Sequence, residues 1–191
     1  MTERENQAGL RLIRQAAAEI MLEVGVRAAT TRMVTDRAGV GRGLLNHYYR
    51  WTQLRAEAWS EIFDKMLDEQ PIRQMEPDEL IEAYLASAFH DGSRIYWRLW
   101  LDAVELARTD SELASATGRI HHKMFIKLAG YLTEGAAKGL WQVTDAWATS
   151  VRLSALYDGL AGMLLTGTTD LTPAEAERHL RQLFLLEVKQ N

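Results

Sequence analysis

Apolar residues recur at three-and-four spacing along the whole chain, with no sustained period-two alternation and no repeat of fixed length, so the expected fold class is all-α. Leu10, Ile13, Ala17, Ile20, Met21 and Val24 line one face of a first helix, from about Asn6 to Val24, with Gly25 where a C-cap is wanted. Thr30 is a candidate N-cap for a short helix with Val34 and Ala38 inward, ending at Gly39. Gly41 opens a third helix through about Tyr48, and Leu54, Ala58, Ile62 and Met66 mark a fourth from Thr52 to about Glu69. Pro71 and Pro77 punctuate the next connection, because each fixes φ and removes a backbone donor. Five further helices follow. One is carried by Leu80, Ile81, Tyr84, Leu85 and Ala88, and one runs from Ser93 to Arg108 with apolar residues around most of its circumference. A long one starts at the capping-box spacing of Thr109 and Glu112 and stops at Gly139, and another spans about 144–166. The last is launched by Thr172-Pro173-Ala174-Glu175 and is expected to reach the C-terminus.

The stretch from Thr30 to Leu54 has a definite architecture. Two short helices joined through Ala38-Gly39-Val40-Gly41 form a helix-turn-helix arrangement, since Gly39 can adopt positive φ and reverse the chain tightly. Leu45 and Tyr49, four apart, are expected to pack inward, which turns Arg42, Leu44, Asn46, His47 and Tyr48 outward. Those outward types suit a major groove: Arg forks onto guanine, Asn onto adenine, Leu touches a thymine methyl, and Tyr and His reach phosphates. Free amides after Thr30 and Gly41 present partial positive charge to a phosphate.

Charge strengthens this picture. The chain carries a net −4, yet residues 1–55 hold nine Arg, no Lys and five acids, a net +4, and the remainder a net −8. A small basic head on an acidic body suits a protein whose head alone approaches a polyanion, and Arg4, Arg11, Arg14, Arg27, Arg32, Arg37, Arg50 and Arg55 surround the candidate reading helix. With 191 residues and 47% apolar composition the chain can bury a real core. It has no cysteine, which excludes disulfides and thiolate chemistry and fits a reducing cytosol. The longest apolar region, Ala146 to Leu165, is interrupted by Arg152 and Asp158, and the first residues lack an apolar signal core, so a soluble, cytoplasmic protein is expected, with no membrane partner.

Gly25-x4-Thr30, then Val34-x3-Ala38-Gly39-Val40-x-x-Gly43-x-Leu45-x-His47-Tyr48-Tyr49-x4-Leu54, resembles the N-terminal DNA-binding region of the TetR family of transcriptional regulators over about residues 8–60. Around Trp97 to Ala114 and at Tyr157-Asp158-Gly159-Leu160 the chain is similar to the choline-responsive, BetI-like branch of that family. The resemblance implies an Ω-shaped homodimer, with DNA-binding domains at 1–52 that bind a palindromic operator and effector-binding and dimerisation domains at 53–191. It implies that Thr30 caps its helix near a phosphate, that Arg42 starts the recognition helix and Gly43 allows close backbone approach, that Leu44, Asn46 and His47 face bases, and that Tyr48 contacts phosphate. Gly41 stands where the family has a Ser cap, Thr31 where it has an apolar residue, and Trp51-Thr52 where a Ser-Lys pair grips the backbone. Arg50 or Arg55 is left to supply that charge beside Thr52.

The body is rich in aromatics. Tyr96, Trp97, Trp100, Tyr131, Trp147 and Tyr157, with Tyr84 and Trp141 nearby in the pattern, either fill a core or cage a cationic or aromatic small-molecule effector by cation–π attraction. Asp102, Glu105 or Asp158 would supply the opposing charge, and Asp158 is the most telling, because a carboxylate within an apolar helix needs a partner. Ala155, Gly159, Ala161 and Gly162 are small enough for close helix contact and, with Leu180, Leu183, Phe184 and Val188, mark a candidate dimer interface. The adjacent His121 and His122 point about 100° apart on a helix and do not make a metal pair, and no other metal or cofactor motif occurs. The reading is a ligand-responsive regulator, a repressor released by its effector, and not an enzyme. The alternatives are an all-α enzyme acting on a small cation through Asp158 and a histidine, or a helical protein-binding adaptor.

Overall fold

The computed structural model describes residues 3–68 and 75–190, so the expectations for Glu69 and Pro71, and for the Arg4 side chain, lie outside the described part. Among the described residues there are nine α-helices: α1 (Glu3–Val24), α2 (Thr31–Ala38), α3 (Arg42–Tyr48), α4 (Trp51–Asp68), α5 (Pro77–Ser87), α6 (Arg94–Leu106), α7 (Ser111–Ala137), α8 (Ala146–Thr166) and α9 (Pro173–Glu187). A single 3-10 turn, Asp91–Ser93, precedes α6, and two strands of three residues, β1 (Trp141–Val143) and β2 (Val188–Gln190), complete the set. The fold is all-α, as the periodicity predicts.

Two compact units divide these elements: one takes in the described residues of Met1–Glu69 with Arg98–Ile120, the other those of Gln70–Trp97 with His121–Asn191. In the first, Ile13, Ala17, Met21, Val34, Leu45, Leu54, Trp59, Leu99 and Leu113 are sealed from solvent. At its centre Trp59 donates its indole N–H to the Leu99 carbonyl at 3.0 Å and packs against Phe63 and Trp100, with ring centroids 4.5 and 5.4 Å away. The second unit has its own core of Leu80, Leu85, Phe89, Trp97, Leu132, Leu153, Leu180 and Phe184. Each such side chain stabilises its unit by about 1.5–3 kcal/mol on burial.

Most helix ends follow the expected chemistry. Thr30 accepts the Met33 N–H at 3.3 Å, and Thr172 and Glu175 form a reciprocal capping box at the start of α9. α7 is capped by Asp110, not Thr109: Asp110 Oδ1 accepts the Glu112 and Leu113 amides at 3.0 and 3.1 Å, while the Thr109 hydroxyl turns back to the Leu106 carbonyl. The chain end departs from the helical expectation too. α9 stops at Glu187, and Val188–Gln190 pairs antiparallel with Trp141–Val143 in the register Val143↔Val188. Three residues are too few to show a period-two pattern, and the partner strand lies far away in sequence.

Candidate functional site

In the first unit the turn between α2 and α3 is set by Gly39, at φ 66°, whose N–H returns to the Thr35 carbonyl; the left-handed conformation is why glycine stands there. Val34 and Thr35 are buried on α2, and Leu45 on α3 is 1% exposed. That anchoring fixes the rotation of α3. Arg42, Gly43, Asn46 and His47 are exposed, Leu44 and Tyr48 half-buried, and Thr30, Arg50 and Thr52 exposed at the flanks. His47 and Tyr48 meet edge to face with centroids 4.7 Å apart. Tyr49 lies just past the helix, its N–H on the Leu45 carbonyl at 2.8 Å, and burial followed by the charge of Glu57 raises its hydroxyl above the usual tyrosine range.

The arginines around this face divide. Arg37 binds Glu23 through two hydrogen bonds of 2.9 and 2.8 Å and reaches Glu19 at 3.3 Å. Arg32 lies 3.6 Å from Asp36, and Arg27 pairs with Glu105. Arg55, 14% exposed at its side chain, is paired with the buried Asp110, so of the two arginines expected to replace the missing lysine only Arg50 stands in the open. Part of the basic head is thus committed to internal pairs, which the charge count could not reveal.

The aromatic residues of the body fall into three places. In the second unit Trp97 donates its indole N–H to the Tyr157 hydroxyl at 2.8 Å, and Phe89 lies 5.9 Å from Trp97 and 5.4 Å from Tyr157, ring centre to ring centre. Tyr84 is 6.5 Å from Tyr157. Burial, then the charge of Asp158 working against the Trp97 hydrogen bond, pushes the Tyr157 hydroxyl up to about 12. Burial raises Tyr84 further, with Tyr157 and Asp158 adding to the effect. Asp158 also faces His121, with Nε2 and Oδ2 3.6 Å apart. Tyr131 is buried in the same core with its hydroxyl unpartnered among the described residues, and Tyr96 is half-buried on α6. Trp100 belongs to the first unit, against Trp59 and Phe63. Trp147 is 43% exposed and packs edge-on against His122 and Phe125.

Trp97, Tyr157 and Asp158 therefore come together, joined by Tyr84 and Phe89, while Trp100 and Trp147 lie elsewhere. Phe89 carries no periodic signal because it sits between α5 and the 3-10 turn. His121 was legible in principle: it and Asp158 are equidistant in sequence from the reversal at Gly139 and Leu140, where antiparallel helices bring partners face to face. Asp102 and Glu105, the other acids considered as opposing charges, are instead occupied within the first unit, at Val26 and Arg27. Among the described residues no group of three or more His, Cys, Asp or Glu is placed to hold a metal ion, and no helix is long and apolar enough to cross a membrane.

Residues 13–50, which include α2 and α3, match the bacterial regulatory proteins of the tetR family, and residues 77–185 match the C-terminal region of the BetI-type transcriptional repressor. Among curated proteins no match is found. Solved structures with the same fold include a transcriptional regulator of Saccharomonospora viridis in complex with choline, 18% identical, at a TM-score of 0.80 over 97% of this chain and 99% of that one. A TetR-family regulator of Rhodococcus sp. is 22% identical, with a TM-score of 0.75 over 98% and 99% of the two chains. A TetR transcription regulator of Haloarcula marismortui is 14% identical, with a TM-score of 0.80 over 96% and 100%. With a buried Leu45 turning the face of α3 outward at one end and a BetI-type match over more than half its length at the other, the chain belongs to the TetR family of DNA-binding transcriptional regulators.

Proposed function

We propose that this regulator acts as a repressor, that residues 1–52 read DNA, and that residues 53–191 bind an effector and dimerise. Two copies place their α3 helices in successive major grooves of a palindromic operator, about 34 Å apart. Arg42, Leu44, Asn46 and His47 address bases; Thr30, Gly43, Tyr48, Arg50 and Thr52 hold the backbone. The observation that carries this reading is the outward set Arg42, Asn46 and His47 on a helix locked by Leu45. α8 and α9 supply the dimer face: Ala155 and Gly159 are exposed small residues, and Met163, Leu185 and Leu186 are 46%, 44% and 74% exposed, whereas Ala161, Leu180, Phe184 and Val188, expected there from the sequence, are buried in the unit's own core.

The effector is a small cation held by the rings of Tyr84, Phe89, Trp97 and Tyr157 with Asp158 as the opposing charge, and with Tyr96 and Tyr131 beside them. Choline bound to the S. viridis regulator supports a quaternary ammonium ligand. Trp100, packed on Trp59 and Phe63, and Trp147, packed on His122 and Phe125, lie outside this cluster. The effector favours the conformation that fits the operator less well, and that difference in affinity is what releases DNA. The protein works in the cytoplasm, by binding and not by turnover.

Fluorescence anisotropy on duplexes covering the promoter of its own gene tests the reading. Specific binding that weakens steeply with salt, is lost in Arg42→Ala and is loosened by millimolar choline is expected; salt-insensitive binding, or an unaffected Arg42→Ala, overturns it.

A further inference from the structure

Three α6 side chains on one helical face, Arg98, Asp102 and Glu105, take no part in the aromatic cluster. All three reach the end of α1 and the turn that leads to α2. The Arg98 guanidinium donates to the Leu22 and Glu23 carbonyls at 3.2 and 3.4 Å. Those carbonyls belong to the last turn of α1, where no intrahelical donor remains. Gly25 then leaves the helix at φ 89°, and the next two amides, Val26 and Arg27, both donate to Asp102 Oδ2, at 3.1 and 3.5 Å. Glu105 completes the set by pairing with the Arg27 guanidinium.

The turn is built around this contact. A Cβ at Gly25 would lie 3.0 Å from Asp102 Oδ2 and 3.5 Å from Arg98 Nε, so the space a side chain would need is taken by the anchor itself. Val26 is fully buried, which leaves its N–H no water to turn to if the carboxylate withdraws. One helix thus satisfies both the last acceptors of α1 and the first donors after it. Everything downstream depends on the direction the chain takes here, because α2 begins at Thr31 and is joined to α3 through the tight turn at Gly39.

We propose that Asp102, with Arg98 and Glu105, is a positioning element for DNA recognition: it fixes the direction in which α2 leaves α1, and through α2 the angle at which α3 meets the groove. The segment that reads DNA is therefore completed by residues about 75 positions further along the chain. A small error of angle at this turn displaces Arg42 and Asn46 from base edges while leaving phosphate attraction intact. The loss should appear in discrimination rather than in affinity for DNA as such.

The proposal rests on α3 being the reading helix, so Arg42→Ala is run beside the anchor variants. The probes are a duplex selected by the wild-type protein from random sequence and an unrelated duplex of equal length, with folding followed by circular dichroism. Asp102→Ala is expected to lower the ratio of the two affinities by about tenfold, the effect of one mismatched base pair, with unrelated-duplex binding unchanged. Should Asp102→Ala fail to fold, the Arg27–Glu105 pair, half exposed on both sides, serves instead. Arg27→Glu and Glu105→Arg each lower the ratio, and the double variant restores most of it. An unchanged ratio in folded Asp102→Ala, or a double variant no better than Arg27→Glu alone, overturns the anchor while Arg42→Ala stays impaired. An unimpaired Arg42→Ala overturns the reading helix and the anchor with it.

Discussion

Arg42 and Arg50 are both exposed arginines beside α3, yet they should behave differently when removed. Arg42 opens the helix, where a guanidinium can fork onto the edge of a guanine. Arg42→Ala is expected to cost about 1–3 kcal/mol of operator binding and to relax preference at one base pair. Arg50 lies between α3 and α4, and in the proposed complex it meets the DNA backbone rather than a base. Arg50→Ala should weaken all duplexes alike and reduce the slope of log K against log salt by about 0.9. Anisotropy titrations across a salt series on operator and random DNA separate the two. Asp110 decides a different question at the same scale. Its carboxylate caps α7 through two amides and pairs with Arg55, and it is 6% exposed. Removing it strands a buried guanidinium whose Nε already lacks a partner, so Asp110→Ala is expected to cost about 3–5 kcal/mol in urea unfolding. Arg55→Met, which removes the other charge and keeps the cap, should cost less.

Among the elements, the end of α9 and the strand after it are held by one carboxylate. Glu187 receives Arg152 Nε at 2.5 Å and the Thr149 hydroxyl at 2.9 Å, and the Arg152 hydrogen bond is the main reason its carboxyl sits below the ordinary glutamate range. A depressed carboxylate contributes stability that is fully present above its unfolded value of about 4.3 and is lost as pH falls through the folded one. Protection factors of the β1–β2 amides, taken against the intrinsic rate at each pH, should therefore fall below about pH 4, and Glu187→Gln should remove that acid step while lowering protection at neutral pH. This corner also marks where legibility in the sequence stopped. The helices of the described chain were readable because each buries a stripe at the helical period, and Thr30, Gly39 and Thr172 were readable because caps and left-handed turns demand particular residues. The β1–β2 pair was not, since its two short segments acquire meaning only when the fold brings them together. Nor was the sorting of aromatics: Trp97 and Trp100 sit three apart on one helix, and spacing alone cannot say that one joins Tyr157 and the other Trp59. Asp102 looked like a charge for a ligand because nothing local revealed the bare amides of Val26 and Arg27 waiting for it.

For the whole molecule, charge and association act together. The acidic remainder, net −8 against the head's +4, disfavours unspecific adhesion to DNA, so in the proposed dimer useful affinity comes from two heads engaging at once. Linking two weak half-site contacts makes the second intramolecular, at an effective concentration on the order of millimolar, and avidity then exceeds either contact by about 10²–10⁴. In the proposed dimer that gain depends on the α8–α9 face, where Met163 and Leu186 are 46% and 74% exposed on a unit with its own closed core. Paired charges on that face would repel another copy without touching the core, so Met163→Glu with Leu186→Glu is expected to yield a folded monomer by analytical ultracentrifugation. The same variant should bind a full palindrome no better than a half-site, falling by about two orders of magnitude or more on the full site and little on the half. A monomer that still preferred the full site would mean that the second contact comes from DNA distortion or from a different pairing of copies. A variant that stayed dimeric would move the interface off α8 and α9. Only loss of the dimer together with loss of full-site preference ties the exposed leucine and methionine to the way this regulator holds its DNA.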